Sequence, residues 1–156
     1  MCQRRFNVFN QLEAVILADG TAVEFLYDAF SRRIAKKAGG KKTRFYWDQF
    51  RMTAENSDQS QTSYIYYPNT FVPLCCHKDG NSYFYQTDHL GAPMEITDAH
   101  GQLVWLAAYD TYGACRTSET FTFENSLRSQ GQYHDTETGL HYNWGHNGDV
   151  YVFMLL

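Results

Sequence analysis

Turn-forming residues recur about every 20 residues along this 156-residue chain, and this spacing constrains the fold more than any other feature. One set of such residues, mostly preceded by an aromatic side chain, is Asn7, Asp28, Asp48, Pro68, Asp88 and Asp110, in steps of 20 to 22, with Asp135 following. Asp28 and Asp110 stand in matching stretches, Y-D-A-F-S-R-R and Y-D-T-Y-G-A-C-R. A stretch written more than once predicts a repeated structural unit rather than one active site.

A second set of turn signals is interleaved with the first. Its members are Asp19-Gly20, Gly39-Gly40, the polar run around Ser60, Asp79-Gly80 and His100-Gly101. Glycine supplies the positive φ of tight hairpin turns, and Asp-Gly is a strong hairpin signal. The two sets together give a turn about every 8–12 residues, which is typical of antiparallel β-structure.

The segments between the turns have the composition of strands. Val23, Phe25 and Tyr27 alternate onto one face, whereas 83–85 and 103–109 are apolar on both faces, as strands covered on both sides would be. The stretch 24–37 has apolar spacing that also suits an amphipathic helix, but its aromatic-Asp frame stands beside glycine or proline elsewhere in the chain. The predicted fold is therefore all-β, with about six repeated antiparallel β-hairpins in a curved, spiralling sheet.

The aspartates of the first set have a structural explanation. An aspartate carboxylate accepts hydrogen bonds from backbone N–H groups two residues on, and it thereby nucleates a turn. The flanking aromatics can pack beside that turn, and the following Arg can begin the next strand. We therefore expect Asp28 and Asp110 to form turns rather than to act in catalysis.

Charge and cysteine patterns add no binding site. The basic run 32–44 straddles Gly39-Gly40 and predicts a solvated hairpin tip rather than a phosphate patch, so no nucleic-acid partner is expected. Cys75 and Cys76 lack C-x-x-C spacing, and adjacent strand residues point to opposite faces, so at most one of the two faces the core.

No catalytic or metal site is predicted either. The six histidines lack ligand spacing and are expected at the surface or in hairpin turns. Asp135 and Glu137 could pair as acid and base, but D-T-E-T-G favours a turn. No G-x-S-x-G elbow, cofactor motif, secretory signal or membrane-spanning run is present, and the sequence leaves the localisation open.

Two long stretches, Tyr83–Gly113 and Asn125–Asn143, resemble a known family. With their T-D-H-L-G-A-P and G-Q-Y-x-D-x-E-T-G-L-H-Y-N signatures they are similar to the core domain of rearrangement-hotspot (Rhs) proteins, and the turns resemble YD repeats. The resemblance divides the chain into YD hairpins at 1–82, a partial core domain at 83–143 and a divergent tail at 144–156. Its structural motif residues are Tyr27, Asp28, Gly80, Asp88, His89, Gly91, Gly101, Tyr109, Asp110, Gly113, Gly131, Tyr133, Asp135 and Gly139.

The resemblance implies a structural role. In this bacterial family the sheet spirals into a hollow shell around a C-terminal toxin polypeptide, which is exported by a secretion apparatus and released by an aspartyl autoprotease near D-P-x-G-x-x-G-G. That motif is absent here. We therefore expect a truncated, non-catalytic shell fragment that self-associates through its open sheet edges.

Two alternatives remain. The chain could be an aromatic-rich β-surface that binds carbohydrate or a partner protein at the cell surface, or it could retain self-cleavage. Exposure of Trp47, Trp105 and Trp144 would favour the binding module, and their burial would assign them to the core.

Overall fold

Strands and tight turns account for most of the molecule. The computed structural model describes residues 2–110, 115–144 and 150–153, without the side chains of Gln130, Trp144 and 150–153. The strands are β1 (Gln3–Phe6), β2 (Leu12–Ile16), β3 (Ala22–Tyr27), β4 (Arg33–Ala38), β5 (Lys41–Asp48), β6 (Arg51–Asn56), β7 (Gln61–Tyr66), β8 (Pro73–Lys78), β9 (Asn81–Thr87), β10 (Pro93–Asp98), β11 (Leu103–Tyr109), β12 (Cys115–Thr117), β13 (Tyr133–Asp135), β14 (Leu140–Trp144) and β15 (Val150–Phe153).

The first twelve strands form one open antiparallel sheet in which neighbours in sequence are neighbours in space, from β1 to β12. The other three strands form a separate antiparallel sheet. The all-β hairpin prediction is confirmed, and 24–37 is a β3–β4 hairpin rather than a helix. Within the described ranges, no helix is long and apolar enough to cross a bilayer.

The hairpin turns lie on two opposite rims of the large sheet. We call one the YD rim, which consists of the turns at 7–11, 28–32, 48–51, 67–72 and 88–92. We call the other the glycine rim, which consists of the turns at 17–21, 38–41, 57–60, 78–81 and 98–102. The alternation follows directly from the two interleaved sets of turn signals in the sequence.

Side-chain hydrogen bonds close the turns of the YD rim. Asp28 Oδ1 accepts from the backbone N–H groups of Phe30 and Arg32, both at 2.9 Å. Asn7 and Asp88 accept from the backbone in the same way, two and four residues on. Asp48 precedes a tighter turn instead, because it pairs directly with Arg51 across the hairpin.

A repeat of about 40 residues, or four strands, governs burial. β4 and β8 share one pattern of buried and exposed positions, including a bulge after their first residue. The five strands β3, β5, β7, β9 and β11 each place one buried aromatic side chain on the same face, and these are Phe25, Phe45, Tyr64, Tyr85 and Trp105. We call this the inner face and the opposite one the outer face.

The outer face is less covered than the sequence predicts. Phe84 in β9 and Leu103 in β11 are 43% and 36% exposed, so the prediction that these strands are covered on both sides is wrong. Both adjacent thiols are nevertheless buried: Cys76 lies in the inner core cluster, and Cys75 lies on the outer face between Ile65 and Phe84.

Residues 125–144, which we call the docked segment, pack against the inner face. The segment contains a short 3-10 turn (Ser129–Gly131), β13 and β14. It adds four buried side chains to the core clusters, Leu127, Tyr133, Leu140 and Tyr142. Each side chain of this size contributes roughly 1.5–3 kcal/mol when it leaves water, so apolar burial drives the docking.

Candidate functional site: the inner face and its docked segment

Four charged side chains meet where β13 crosses β4. Arg33 Nη1 lies 2.6 Å from Asp135 Oδ2, and Lys36 Nζ lies 3.2 Å from Asp135 Oδ1. Lys36 Nζ also lies 2.7 Å from Glu137 Oε2. Arg33, Lys36 and Asp135 are only 2%, 6% and 1% exposed. Two cations and two carboxylates thus form a cluster without net charge, in which Arg33, Lys36 and Asp135 are desolvated and Glu137 is partly exposed.

This cluster corrects the prediction made for the basic run. The tip at Gly39-Gly40 is present and Lys37 is half exposed, but Arg33 and Lys36 are not solvated. Strand alternation and the bulge at the start of β4 turn both side chains inward. Their carboxylate partners lie about a hundred residues further along the chain, where no local pattern could reveal them.

Aromatic rings enclose the Arg33 guanidinium. Its Cζ lies 4.2 Å from the ring centre of Tyr142 and 5.0 to 5.4 Å from the rings of Phe25, Phe45 and Tyr133. Burial by itself would lower the pKa of Arg33, but the charge and hydrogen bond of Asp135 outweigh burial and raise this pKa above its usual value. The guanidinium therefore stays charged within an aromatic cage.

A second polar contact lies one hairpin away. The hydroxyl groups of Tyr64 and Tyr133 donate to the two carboxylate oxygens of Glu55. Burial, followed by the charge of Glu55, raises the pKa of both tyrosines well above its usual value, so both hydroxyls remain protonated donors. A cavity of about 140 Å³, lined in part by Thr62 and Lys78, adjoins this contact.

Two histidines pair across β13 and β14. The ring centres of His134 and His141 are 4.9 Å apart, and Arg128 Nη2 lies 3.4 Å from His134 Nδ1. Burial, then the neighbouring positive groups, lowers the pKa of His141 to about 4, and burial also lowers the pKa of His134. The prediction that all histidines lie at the surface or in turns is wrong for this pair, which the β13–β14 pairing partly buries.

The motif residues of the sequence are spread over the molecule and do not converge on one site. Asp28, Asp88, His89 and Gly91 lie on the YD rim, Gly80 and Gly101 lie on the glycine rim, and Gly131, Tyr133, Asp135 and Gly139 lie in the docked segment. Tyr27 ends the strand before the turn at 28–32, Tyr109 ends β11 and is followed by Asp110, and Gly113 falls outside the described residues.

Two of these glycines allow close approach. Both have positive φ, and an added Cβ would lie 2.7 Å from Val72 at Gly91 and 2.8 Å from the Phe71 ring at Gly131. The second contact joins the docked segment to the YD rim. A side chain at either position would therefore be strained in its backbone and would also collide with a neighbour.

The inner face offers packing rather than reactive chemistry. Among the described residues, no three His, Cys, Asp or Glu side chains lie close enough together to hold a metal ion. Arg33, Lys36 and Glu55 are the inner-face residues that the sequence did not reveal. Comparison of the 40-residue repeats would have marked Arg33 and Lys36, because Pro73 and Cys76 occupy the equivalent positions of β8.

The fold has close counterparts among solved structures. The structure titled TcdB2-TccC3 aligns with 98% of this chain at a TM-score of 0.68 and 17% identity, and the Tc holotoxin pore of Photorhabdus luminescens aligns with 96% at 0.67. This chain covers 8% of each of those chains. The fold therefore defines the class, an all-β hairpin-repeat sheet of the kind found in these toxin structures.

Sequence similarity gives the family. A family profile described as RHS protein matches residues 83–119. Toxin protein Tse5 of Pseudomonas aeruginosa is 33% identical over 81% of this chain, and double-stranded DNA deaminase toxin A of Burkholderia cenocepacia is 28% identical over 76%. The chain belongs to the Rhs (YD-repeat) family and is related to its toxin proteins. It spans only 12% and 11% of the length of these two relatives.

Proposed function

We propose that this chain is a non-catalytic wall section of an Rhs shell, which in a full-length protein encloses a C-terminal toxin polypeptide. One observation carries the proposal: every second strand from β3 to β11 places an aromatic side chain on the same inner face. A sheet with one apolar face can line or close an interior as further hairpins are added. The toxin names of the relatives support this reading.

The docked segment would act as the local closure of that wall. Its buried aromatic and aliphatic side chains fill the inner face, and Asp135 neutralises the two cations of β4. We propose that residues 83–143 form a core-domain unit with the hairpins of 1–82 as its support and 144–156 as a divergent tail. β9 crosses the boundary between the first two without a break in the sheet.

The fourteen motif residues would serve turns and packing rather than chemistry. The carboxylates best placed for acid–base work are already engaged, Asp135 by Arg33 and Lys36, and Glu55 by two tyrosine hydroxyls. The proposal therefore assigns no catalytic residue and no cofactor. Residual self-cleavage would contradict it, and this is checked by intact-mass measurement of the purified chain over several days at 37 °C.

The tryptophans weigh against the binding-module alternative. Trp105 is 3% exposed, and Trp47 packs against the main core cluster while its indole N–H donates to the Arg33 carbonyl at 2.9 Å. The side chain of Trp144 lies outside the described residues. Trp105 thus belongs to the core and Trp47 is partly buried against it, so neither indole is freely exposed to stack on a sugar.

A domain exchange tests the wall function. The region of Tse5 that aligns with this chain is replaced by residues 7–143, and the purified chimera is treated with a protease that digests the free toxin segment. The proposal expects the toxin segment to remain protected, as in unmodified Tse5. A matched chimera with Ile96→Asp, which places a charge at a fully buried core position, is expected to lose protection.

Two results would count against the proposal. A well-folded chimera with an accessible toxin segment would show that the chain cannot serve as wall. Full protection in the Ile96→Asp chimera would show that protection does not depend on this section. Partners in a full-length protein would be the toxin polypeptide and a secretion apparatus, and the open edges at β1 and β12 would join further hairpins or another copy.

A further inference from the structure

The two rims of the large sheet differ in chemistry although both consist of hairpin turns. All turns of the glycine rim lie in the described part of the chain, and their tips carry no apolar side chain larger than alanine. The YD rim has a large apolar residue at the tip of four of its five described turns: Phe9 is 79% exposed, Phe30 69%, Phe50 42% and Leu90 60%. Val8, beside Phe9, is 94% exposed.

Hairpin geometry alone does not require this difference. Three turns of the YD rim use an Asp or Asn side chain together with a residue of positive φ, such as Ser31 or Gly91, and the tip residue contributes only its backbone N–H, so the turn hydrogen bonds place no demand on the tip side chain. Single exposed apolar residues are ordinary, whereas a continuous row of them marks an interaction surface. The glycine rim shows that this sheet can form its hairpin turns without large apolar side chains at the tips.

The YD rim alternates projections and hollows. Successive tips are two strand spacings, or about 9.5 Å, apart. A hollow of about 600 Å³ lies between the turns at 7–11 and 28–32, and one of about 240 Å³ lies between the turns at 48–51 and 67–72. A cavity of about 150 Å³ holds a benzene ring, and both hollows, which are open and lined by polar as well as apolar side chains, exceed that volume. Each hollow can therefore receive a phenylalanine side chain.

The fourth turn of this rim, at 67–72, is already covered in part by the docked segment of the same chain. The Phe71 ring is only partly exposed, and it packs against Gly131 of the docked segment. Asp28 pairs with Arg32 at 2.7 Å and Asp48 lies 3.6 Å from Arg51, whereas Asp88 accepts hydrogen bonds from backbone N–H groups. The two ion pairs limit the charge repulsion between two such rims.

We propose that the YD rim is a self-association surface and that its occupant is the YD rim of a second copy of this chain. The two rims would run antiparallel about a two-fold axis, so that the projections of each copy enter the hollows of the other. The shared period makes the rim complementary to itself, which is the condition for a closed dimer.

The available area suits a weak dimer. The exposed parts of the tip side chains amount to on the order of 600 Å² per copy if a phenylalanine exposes about 200 Å². Two copies would bury ~1,200 Å², the lower limit of specific interfaces, so we expect a dissociation constant in the micromolar range or weaker. This surface differs from the open strand edges at β1 and β12, because side chains rather than backbone groups form it.

Sedimentation velocity of the full chain over roughly 1–300 µM tests the proposal. The wild type should shift from monomer to dimer and no further, because an isologous contact closes. Phe9→Ser combined with Phe30→Ser should weaken the dimer at least about tenfold, as expected when two large aromatic contacts are lost. Ile65→Ser combined with Phe84→Ser, two outer-face residues of 45% and 43% exposure, should leave it within about twofold of the wild type.

Further variants separate the rim from other routes of association. Val8→Lys alters a side chain that is too exposed to affect folding and should also weaken the dimer. Arg4→Pro and Arg5→Pro, tested singly because alternate N–H groups point to opposite sides of β1, should not. The proposal is overturned by a monomeric wild type across the range, by open-ended growth, by equal effects of rim and outer-face variants, or by loss of association through a β1 proline alone.

Discussion

Asp135→Asn is the substitution that most directly tests how the docked segment is held. The change keeps the size of the side chain and removes the charge that neutralises Arg33 and Lys36. Lys36 keeps Glu137 as a partner, but Arg33 is left as a charged group that is 2% exposed. The remaining stabilisation of Arg33 would be a hydrogen bond to the neutral amide oxygen at position 135 and its contacts with the surrounding aromatic rings.

The expected cost is large relative to the stability of a domain. Removal of one partner from a buried ion pair destabilises by about 3–5 kcal/mol, out of a total that is typically about 5–15 kcal/mol. With an m value of about 2 kcal/mol per molar urea, the unfolding midpoint should fall by roughly 1.5–2.5 M. If the segment detaches before the sheet unfolds, the loss appears first as faster amide exchange in β13 and β14.

Urea unfolding followed by tryptophan fluorescence, together with hydrogen exchange, measures both effects. Glu137→Gln is the matched control, because the side chain of Glu137 is 34% exposed and its loss should cost at most about 1 kcal/mol. The triple variant Arg33→Met, Lys36→Met, Asp135→Leu should recover most of the stability, since it removes the buried charges together. An Asp135→Asn cost below about 1 kcal/mol, or a triple variant as unstable as the single one, would show that the buried ion pair does not hold the docked segment in place.

Three further outcomes follow from the same structure. The pKa of His141 is lowered from 6.5 to about 4, so the folded state should lose on the order of 3 kcal/mol of stability as pH falls from about 6.5 to 4. Urea unfolding at pH 7 and pH 5 measures this loss, and His141→Phe should make the stability less dependent on pH. Gly131→Ala should cost at least 1 kcal/mol more than Gly139→Ala by thermal unfolding, because both have positive φ but only the first places a Cβ against Phe71, and equal costs would argue against that close contact. Asp28→Ala should cost about 1–2 kcal/mol and Asp28→Asn clearly less, since Asn7 closes the equivalent turn through its amide oxygen, and a reversed order in denaturant midpoints would contradict this account of the turn.

Much of the fold could be predicted because its signals are local. Alternating strand residues, positive-φ glycines and the hydrogen bonds of Asp28 all act within about four residues of sequence. The prediction was weaker where a position depends on a distant segment. In sequence, both faces of β9 and β11 are apolar. The docked segment covers only one face, and Phe84 stays partly exposed on the other.

The inner-face cluster shows the same limit more sharply. In sequence, Arg33 and Lys36 belong to a basic run at a hairpin tip, and Asp135 and Glu137 belong to a polar turn. Either reading is correct for the local backbone, since the tip at Gly39-Gly40 and the turn after Asp135 are both present. These charged residues are buried because β13 packs against β4, so that Arg33 and Lys36 contact carboxylates instead of water.

The hairpin period, the two interleaved sets of turns and the family could all be predicted from the sequence alone. Each of these depends on residues that are close together in sequence, and in a repeat the same local pattern recurs several times along the chain. The buried charged residues, the paired histidines and the face that the docked segment covers emerged only from the folded structure. Pairings such as Arg33 with Asp135 join residues about a hundred positions apart, and their energy exists only once the chain has closed that distance and excluded water from it.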